Sequence, residues 1–397
     1  MITVEEAFAR IVTSADLLTT EKVSLRDASG RVLVGAIKAR RSQPASDVSA
    51  MDGYAVNSAD LNGSEVTLKL VGTSAAGQPF NGTIKKGETV RIFTGAPVPA
   101  GTDQVVIQEN TGPAEGGIFT DDEANAGKHI RMKGYDFSEG QIVLEAGTFM
   151  SPKSIGLAAS AGHGSLMVYK APTVAILATG DELASPDADT FEDYQTVNSI
   201  SPQLNAFIKD TGAEVLDLGH AGDSVESLKA ALQKGKDADV LVTIGGASVG
   251  DRDFMQQALS EEGMTLDFWK VAMRPGKPLI YGKNGKQHIL GLPGNPVSAF
   301  VCAYLYLRPL IDRLMGRPAP FPTGVMLPIA TDLPANGVRQ DYMRARLIGE
   351  AGSRHVDPAV SQDSGHTSVL ANSDGLIVRA PNSGVVKAGE MVPFLPF

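Results

Sequence analysis

The sequence predicts a multidomain chain combining α/β and β architecture: a central three-layer α/β/α domain, a small β-rich domain before it and a C-terminal β-rich domain after it. Three observations predict this. Residues 170–315 alternate strand-like and helix-like segments, which implies a mostly parallel sheet with helices on both faces. Residues 51–150 are rich in Gly, Thr, Val and Pro, and short alternating runs such as Val66–Val71 and Thr89–Phe93 are separated by turn residues, the pattern of a small all-β domain. After the Pro-rich stretch Arg317–Pro322, which reads as a linker, residues 323–397 are again β-like with Gly and Asn turns.

In chain order, a helix is expected over Val4–Leu18, followed by a basic and polar extension through Arg26, Arg31, Lys38, Arg40 and Arg41. In the central region, strands are expected at Thr173–Ala178, Ala213–Leu218, Val240–Ile244, Pro278–Tyr281 and His288–Gly291. Helices are expected at Ser199–Lys209, Ser224–Lys234 and Phe254–Ser260, with a long one from Pro296.

With 43% apolar and 20% charged residues, the 397-residue chain reads as soluble and globular. A net charge of -10 and the lack of any basic run argue against a nucleic-acid partner, while local potential leaves an anionic ligand open. The single cysteine, Cys302, lies in an apolar helical stretch and reads as a buried small hydrophobe. Residues Met1–Ala7 lack the features of a signal peptide, and no apolar run reaches the ~18 residues of a membrane span. A cytoplasmic location without membrane contact is therefore expected. The six histidines are scattered, without the paired spacing of zinc sites.

Ligands of such sheets bind at the carboxyl ends of strands, so the loops there carry the chemistry. The most informative is Thr243–Asp253, where Gly245 and Gly246 follow a strand and precede a helix. Glycine turns let backbone N–H groups approach an anion, and the helix N-terminus adds partial positive charge. Ser248, Asp251 and Asp253 share this loop, and carboxylates beside an anion imply a divalent cation between them. Three more loops belong to the set: Ala178–Leu183 with Asp181 and Glu182, Gly222-Asp223, and Leu292–Ser298. Asp223 by itself reads as a helix N-cap; in the last loop Asn295 suits an N-cap, Pro296 the first helical position and Ser298 the first turn. Between them Lys270, Arg274 and Lys277 offer cations for a phosphate-bearing ligand.

Six strings occur in one order: Ser49-Ala-Met-Asp-Gly-Tyr-Ala55, Thr94-Gly-Ala-Pro-Val-Pro99, Thr179-Gly-Asp-Glu-Leu183, Gly245-Gly-Ala-Ser-Val-Gly-Asp251, Arg274-Pro-Gly-Lys-Pro278 and Leu292-Pro-Gly-Asn-Pro-Val-Ser298. Each is weak alone; together they closely resemble the molybdopterin molybdenumtransferases, the MoeA proteins of bacteria and the gephyrin E domain of animals, over essentially the whole chain.

The resemblance implies an enzyme that takes adenylylated molybdopterin and molybdate with Mg²⁺, releases AMP and leaves molybdenum on the dithiolene. It implies an elongated homodimer of four-domain chains: a linking domain from residues 1–50 and 137–169, a small β domain over 51–136, an α/β domain over 170–318 resembling molybdopterin adenylyltransferases, and a C-terminal domain over 319–397. The cleft would lie between the α/β domain of one chain and the small β domain of its partner. A molybdopterin adenylyltransferase would act upstream, and molybdoenzymes or cofactor carriers would receive the product.

Carried over by motif, Asp52, Thr94 and Asp136 belong to the β-domain side, and Glu182, Asp223, Asp253, Lys270, Arg274 and Lys277 to the α/β side, with Glu182 and Asp253 on the magnesium. Gly245, Gly246, Ser248, Pro293, Asn295, Pro296 and Ser298 would contact substrate. Arg344 and Ser364 match positions for molybdate, with Ser368 as the alternative to Ser364. Tungstate would suit the same donors. An adenylyltransferase is disfavoured because its loop continues Gly-Gly-Thr-Gly, where this chain has Ala247-Ser248, and because of the β-rich flanks. A receptor-clustering scaffold is disfavoured by the lack of a fused adenylyltransferase domain.

Overall fold

A computed structural model describes residues 1–61, 65–246, 254–350 and 352–397. Two compact units divide the chain: Lys22–Ser29 with Leu33–Val168, and the remainder, Met1–Glu21, Gly30–Val32 and Tyr169–Phe397. The first helix, α1 (Val4–Thr13), belongs to the larger unit. Thr3 caps it by accepting from the Glu6 N–H, and Val4, Ala7, Phe8 and Ile11 form its buried face. It stops short of the expected Leu18, whose N–H instead donates to the Leu314 carbonyl.

The smaller unit holds a six-stranded sheet built from β1 (Gly53–Val56), β2 (Val66–Ser74), β3 (Glu88–Ile92), β4 (Gln104–Ile107), β5 (Thr111–Ala114) and β6 (Gly117–Thr120), in the order β4-β1-β3-β2-β6-β5. Alternation covers both faces: Val56, Leu68, Val106 and Ile118 pack on one side, Ala55, Ile92 and Val105 on the other. A Gly53 side chain would collide with the Val106 carbonyl, 2.0 Å from an added Cβ, so the strand can start there only with glycine. Farther on, α2 (Pro152–Ser160) is capped by Ser151 and contributes Ala158 to a separate core with Leu33, Met150 and Val168.

The larger unit is organised on a second six-stranded sheet. Its strands are β7 (Thr173–Thr179), β8 (Glu214–Ala221), β9 (Val240–Ile244), β10 (Thr265–Trp269), β12 (Ile280–Asn284) and β13 (Gln287–Leu292); the two-residue β11 (Met273–Arg274) lies outside it. The order β8-β7-β9-β13-β12-β10 is parallel through the first four strands and antiparallel at β12 and β10. Strands β9 and β13 are buried along their whole length, because helices cover both faces. Helices α4 (Val225–Lys234) and α5 (Phe254–Glu261) pack on one face. On the other lie α1, α3 (Ile200–Asp210) and the continuous run of α6 (Pro296–Cys302), a π-helical turn (Ala303–Leu307) and α7 (Arg308–Leu314).

The third sheet contains β14 (Val325–Pro328), β15 (Gln340–Ile348), β16 (His355–Pro358), β17 (Gly375–Arg379) and β18 (Met391–Pro396), with the short α8 (Thr367–Ala371) before β17. Its order is β11-β15-β17-β18-β14, and β16 pairs with β15. Strand β11 thus leaves the central sheet's connection and pairs in parallel with β15, Arg274 opposite Asp341. Arg317, expected in a linker, is tied down instead: it donates to the Thr211 carbonyl at 2.6 Å and to Asp312 at 3.1 Å. Among the described residues, no helix is long and apolar enough to cross a membrane.

Candidate functional site

The parallel order of β8, β7, β9 and β13 carries their carboxyl ends to one edge of the sheet. The four loops that follow open on a single cleft of about 650 Å³. The turn after β7 contributes Thr179, Gly180 and Glu182; the loop after β8 contributes Asp223; Gly245 and Gly246 follow β9; Gly294, Asn295 and Pro296 follow β13. Of the residues singled out in the glycine loop, Ser248, Asp251 and Asp253 lie outside the described residues.

Gly245 and Gly246 take φ values of 90° and 62°. A Cβ on Gly245 would stand 2.9 Å from both the carbonyl and the hydroxyl oxygen of Thr179, so only glycine lets the neighbouring loops approach this closely. Asn295 holds the N-cap position of α6, with no side-chain cap bond among the described residues, and Pro296 follows at the first position. Ser298 is buried in the first turn and Pro293 is buried behind Gly294. Glycine turn and helix terminus together make a surface suited to phosphate oxygens.

Carboxylates crowd the opposite rim. Partial desolvation, then the Asp181 and Glu182 carboxylates, push the Asp223 carboxyl above its ordinary range. Asp223 is not the helix cap: Ser224 caps α4 by accepting from the Ser227 N–H, leaving Asp223 to face the cleft. Two hydrogen bonds tie the acidic loops together. The Asp223 N–H donates to Asp181 at 3.0 Å, and His220 Nε2 lies 2.6 Å from the Gly180 carbonyl oxygen. Among the described residues, no three His, Cys, Asp or Glu converge on a metal position.

The C-terminal segment supplies the last wall, with Gly365 and Thr367. The Val297 N–H, in the first turn of α6, donates to the Ser364 carbonyl at 3.2 Å. Arg344 donates from Nη2 to the Asp363 carbonyl at 2.9 Å. Arg344 is 1% exposed while Arg346, two residues further along β15, is exposed, and among the described residues the Arg344 Nε has no hydrogen-bond partner. Burial lowers the Arg344 pKa, and Asp363 opposes that shift. Ser368 lines another cavity, beside Arg346.

Other expected residues stand elsewhere. Arg274 and Arg344 line a smaller cavity of about 210 Å³ with Asp341 and Arg379. Lys270 has a φ of 74° and rests its ammonium 3.6 Å above the Trp269 ring. Lys277 is exposed, and its carbonyl accepts from the Val271 and Leu279 N–H groups. Neither lysine is among the described residues of the cleft wall. In the smaller unit, Asp52 accepts from the Thr94 N–H at 2.7 Å and the Thr94 hydroxyl at 2.8 Å, which holds its pKa low. Asp136 is exposed, and its N–H donates to the Gln43 carbonyl.

The sequence reading missed Asn198, Ser199 and Thr367 in the cleft wall. Asn198 had a usable signal: it precedes a helix and its Oδ1 accepts from the Ser201 N–H, as helix-capping side chains do.

Fold and cleft define a class, an α/β domain of molybdopterin-binding type carried in one chain with β-rich domains. Residues 175–313 match the probable molybdopterin binding domain, residues 2–162 the MoeA N-terminal region (domain I and II) and residues 327–397 the MoeA C-terminal region (domain IV). A molybdopterin molybdenumtransferase of Haemophilus influenzae is 36% identical over 402 residues, covering 100% of this chain and 99% of that protein. Molybdopterin molybdenumtransferase 2 of Mycobacterium tuberculosis is 35% identical over 367 residues, covering 89% of each. Among solved structures, a molybdopterin biosynthesis MoeA protein from Pyrococcus horikosii superposes with a TM-score of 0.84 at 27% identity, covering 100% of this chain and 99% of that one. The chain belongs to the molybdopterin molybdenumtransferase family, and it is a transferase of molybdenum cofactor biosynthesis.

Proposed function

We propose that this enzyme moves molybdenum from molybdate onto adenylylated molybdopterin in the presence of Mg²⁺, with release of AMP. The observation that carries the reading is the cleft itself, where a glycine turn and the N-terminus of α6 face a rim of carboxylates. Phosphate oxygens suit the first wall. The second wall is crowded with negative charge, which a hard cation would relieve. Magnesium takes one or two protein carboxylates and fills its sphere with water and phosphate oxygens, so the donor set fits without a convergent cluster. Glu182 and Asp253 would hold it, and when bound it neutralises charge on the phosphates. Asn295, Pro296 and Ser298 orient the phosphate end of the ligand. Arg344 would hold the molybdate dianion from the side of the Asp363-Ser364 loop, with Arg274 as a second cation and Ser364 favoured over Ser368 by its carbonyl's bond to the first turn of α6.

Purified protein given adenylylated molybdopterin, molybdate and magnesium should release AMP in proportion to cofactor formed. No AMP above a protein-free control would overturn the reading. Asp52, Thr94 and Asp136 enter through assembly: the family pattern suggests four domains per chain, a homodimer, and a cleft completed by the partner's small β domain. Inactive Asp52→Ala and Asp253→Ala chains should then regain activity when mixed into heterodimers. Verified heterodimers without activity would show that each cleft is built from one chain. A cytoplasmic setting, supply by an adenylyltransferase and delivery to molybdoenzymes or cofactor carriers belong to the same proposal.

A further inference from the structure

Two loops carry the acidic rim of the cleft, and a side chain behind the rim ties one to the other. The turn after β7 closes on itself: the Leu183 N–H donates to the Gly180 carbonyl at 3.1 Å. Gly180 takes a φ of 142°, and a Cβ there would stand 2.7 and 2.8 Å from the two carboxylate oxygens of Glu182. The Glu182 carboxylate therefore lies folded back over Gly180, and the placing of that peptide sets the placing of the carboxylate. His220, near the end of β8, reaches the same peptide from the other loop, with Nε2 2.6 Å from the Gly180 carbonyl oxygen. A carbonyl can only accept, so Nε2 carries the proton and donates. His220 lines a second space, of about 620 Å³, with Lys209 and Asp217. It is not among the described residues of the main cleft wall, whereas Glu182 and Asp223 are.

We propose that His220 is a positioning residue for the acidic rim: its Nε2–H holds the Gly180 peptide so that the Glu182 carboxylate is presented to a divalent cation beside Asp223. The proposal rests on the reading of Glu182 as a magnesium ligand given above. Asp181, Glu182 and Asp223 are like charges carried on two loops, and their repulsion acts to part the loops. The His220 bond opposes this with one directed donor. It falls on neutral backbone, so it neither neutralises a carboxylate nor occupies one of its oxygens, and the rim keeps its full charge for a cation. Magnesium requires near-octahedral oxygens at about 2.0–2.1 Å, so a small displacement of Glu182 is enough to weaken binding. The competing role is a purely structural tie. His220 is exposed on the edge strand of its sheet, where the loss of one bond changes stability little. Metal affinity and stability therefore separate the two roles.

The test uses the full chain with two substitutions. His220→Phe keeps a ring of similar size and removes the donor; His220→Gln offers an amide nitrogen that restores it. Mn²⁺ stands in for magnesium, and its binding is read without turnover from the free-ion electron paramagnetic resonance signal, with AMP present to supply phosphate oxygens. Half-saturating Mg²⁺ and half-saturating molybdate for AMP release are measured alongside, and thermal unfolding without metal confirms the fold. In His220→Phe, Mn²⁺ affinity should fall about tenfold and half-saturating Mg²⁺ rise by a similar factor, with half-saturating molybdate within about twofold of the parent. His220→Gln should return to within about twofold of the parent on each measure. Parental Mn²⁺ affinity in folded His220→Phe would overturn the proposal, whether or not the thermal midpoint falls. Equal losses in both variants would overturn it too, since the donor would then not be what matters. Glu182→Ala is the reference. If it binds Mn²⁺ as the parent does, the magnesium reading of Glu182 falls and the role of His220 falls with it; a loss in Glu182→Ala with none in His220→Phe removes His220 alone.

Discussion

Asp52 and Asp223 are both exposed aspartates beside a glycine, one in each compact unit, and their carboxyls are perturbed in opposite directions. Asp52 receives two hydrogen bonds from Thr94, which stabilise its charged form. Asp223 faces Asp181 and Glu182 in a partly desolvated cleft, which destabilises its charged form. Residue exposure alone therefore does not set a carboxylate's state: donors set it at Asp52, and local desolvation followed by neighbouring anions sets it at Asp223. The lesson for function is direct. Asp52 is an anion already satisfied by its own chain, suited to act as a fixed charge. Asp223 belongs to a rim that improves only when a cation or donor arrives, and that rim is where ligand binding changes the electrostatics most.

The largest effect that can break this contrast is at Glu182. Glu182→Ala removes the proposed cation ligand and one of the two anions crowding Asp223. Magnesium-stimulated AMP release should fall at least about 100-fold, equivalent to roughly 3 kcal/mol of barrier, with the fold intact. Full activity at ordinary magnesium would remove Glu182 from the site. Next is Arg344, the buried cation whose Nε has no partner among the described residues. Arg344→Ala should raise the half-saturating molybdate concentration about tenfold, or roughly 1.4 kcal/mol, while direct binding of adenylylated molybdopterin without molybdate stays close to parental. A large pterin-binding defect with unchanged molybdate dependence would assign Arg344 to the other ligand.

How far the sequence reached differs along this same comparison. The four strand-end loops were legible because each follows an apolar run and contains glycine or a helix-start signal, local features that survive without tertiary information. The Asp52–Thr94 contact was not, since it joins residues in different strings through a backbone N–H and a hydroxyl. In the sequence Lys270, Arg274 and Lys277 stand together as cations for a phosphate-bearing ligand. In the structure Lys270 turns onto Trp269, and Arg274 is drawn into the third sheet by pairing with β15. Alternation on β15 likewise gave no hint that Arg344 is buried and Arg346 exposed. What separates them is the 361–366 loop, whose Asp363 carbonyl accepts from Arg344, a contact 19 residues away in sequence.

A smaller effect sharpens the Asp223 side. Asp223→Asn removes a charge that the folded state disfavours. Below the ordinary value of 3.8 both states of the parent carry the proton, and the substitution changes little. As pH rises through 3.8 the unfolded chain ionises first, and the parent's fold is then held at a disadvantage that Asn lacks. The thermal midpoint of Asp223→Asn should therefore match the parent near pH 3 and exceed it near pH 7. Magnesium should narrow the difference at pH 7 by stabilising the parent. A variant less stable than its parent at neutral pH would show that Asp223 is already satisfied.

The smallest effect tests the Asp52 side. Thr94→Val keeps the backbone N–H, which is the larger cause of the lowered Asp52 pKa, and removes only the hydroxyl donor. Because the folded-state pKa lies below the ordinary 3.8, Asp52 contributes stability above that value and loses it as pH falls through the folded pKa. Thr94→Val should raise the Asp52 pKa partway towards 3.8, measured by carboxyl NMR titration, and move its thermal midpoint by no more than a degree or two (about the limit expected for one exposed contact). The loss should be present at pH 6 and shrink towards pH 2.5, the reverse of the pattern at Asp223. An Asp52 titration that does not move on losing the hydroxyl would mean that the N–H bond alone fixes this charge, and the contrast between the two aspartates would then rest on one backbone donor rather than on the Thr94 side chain.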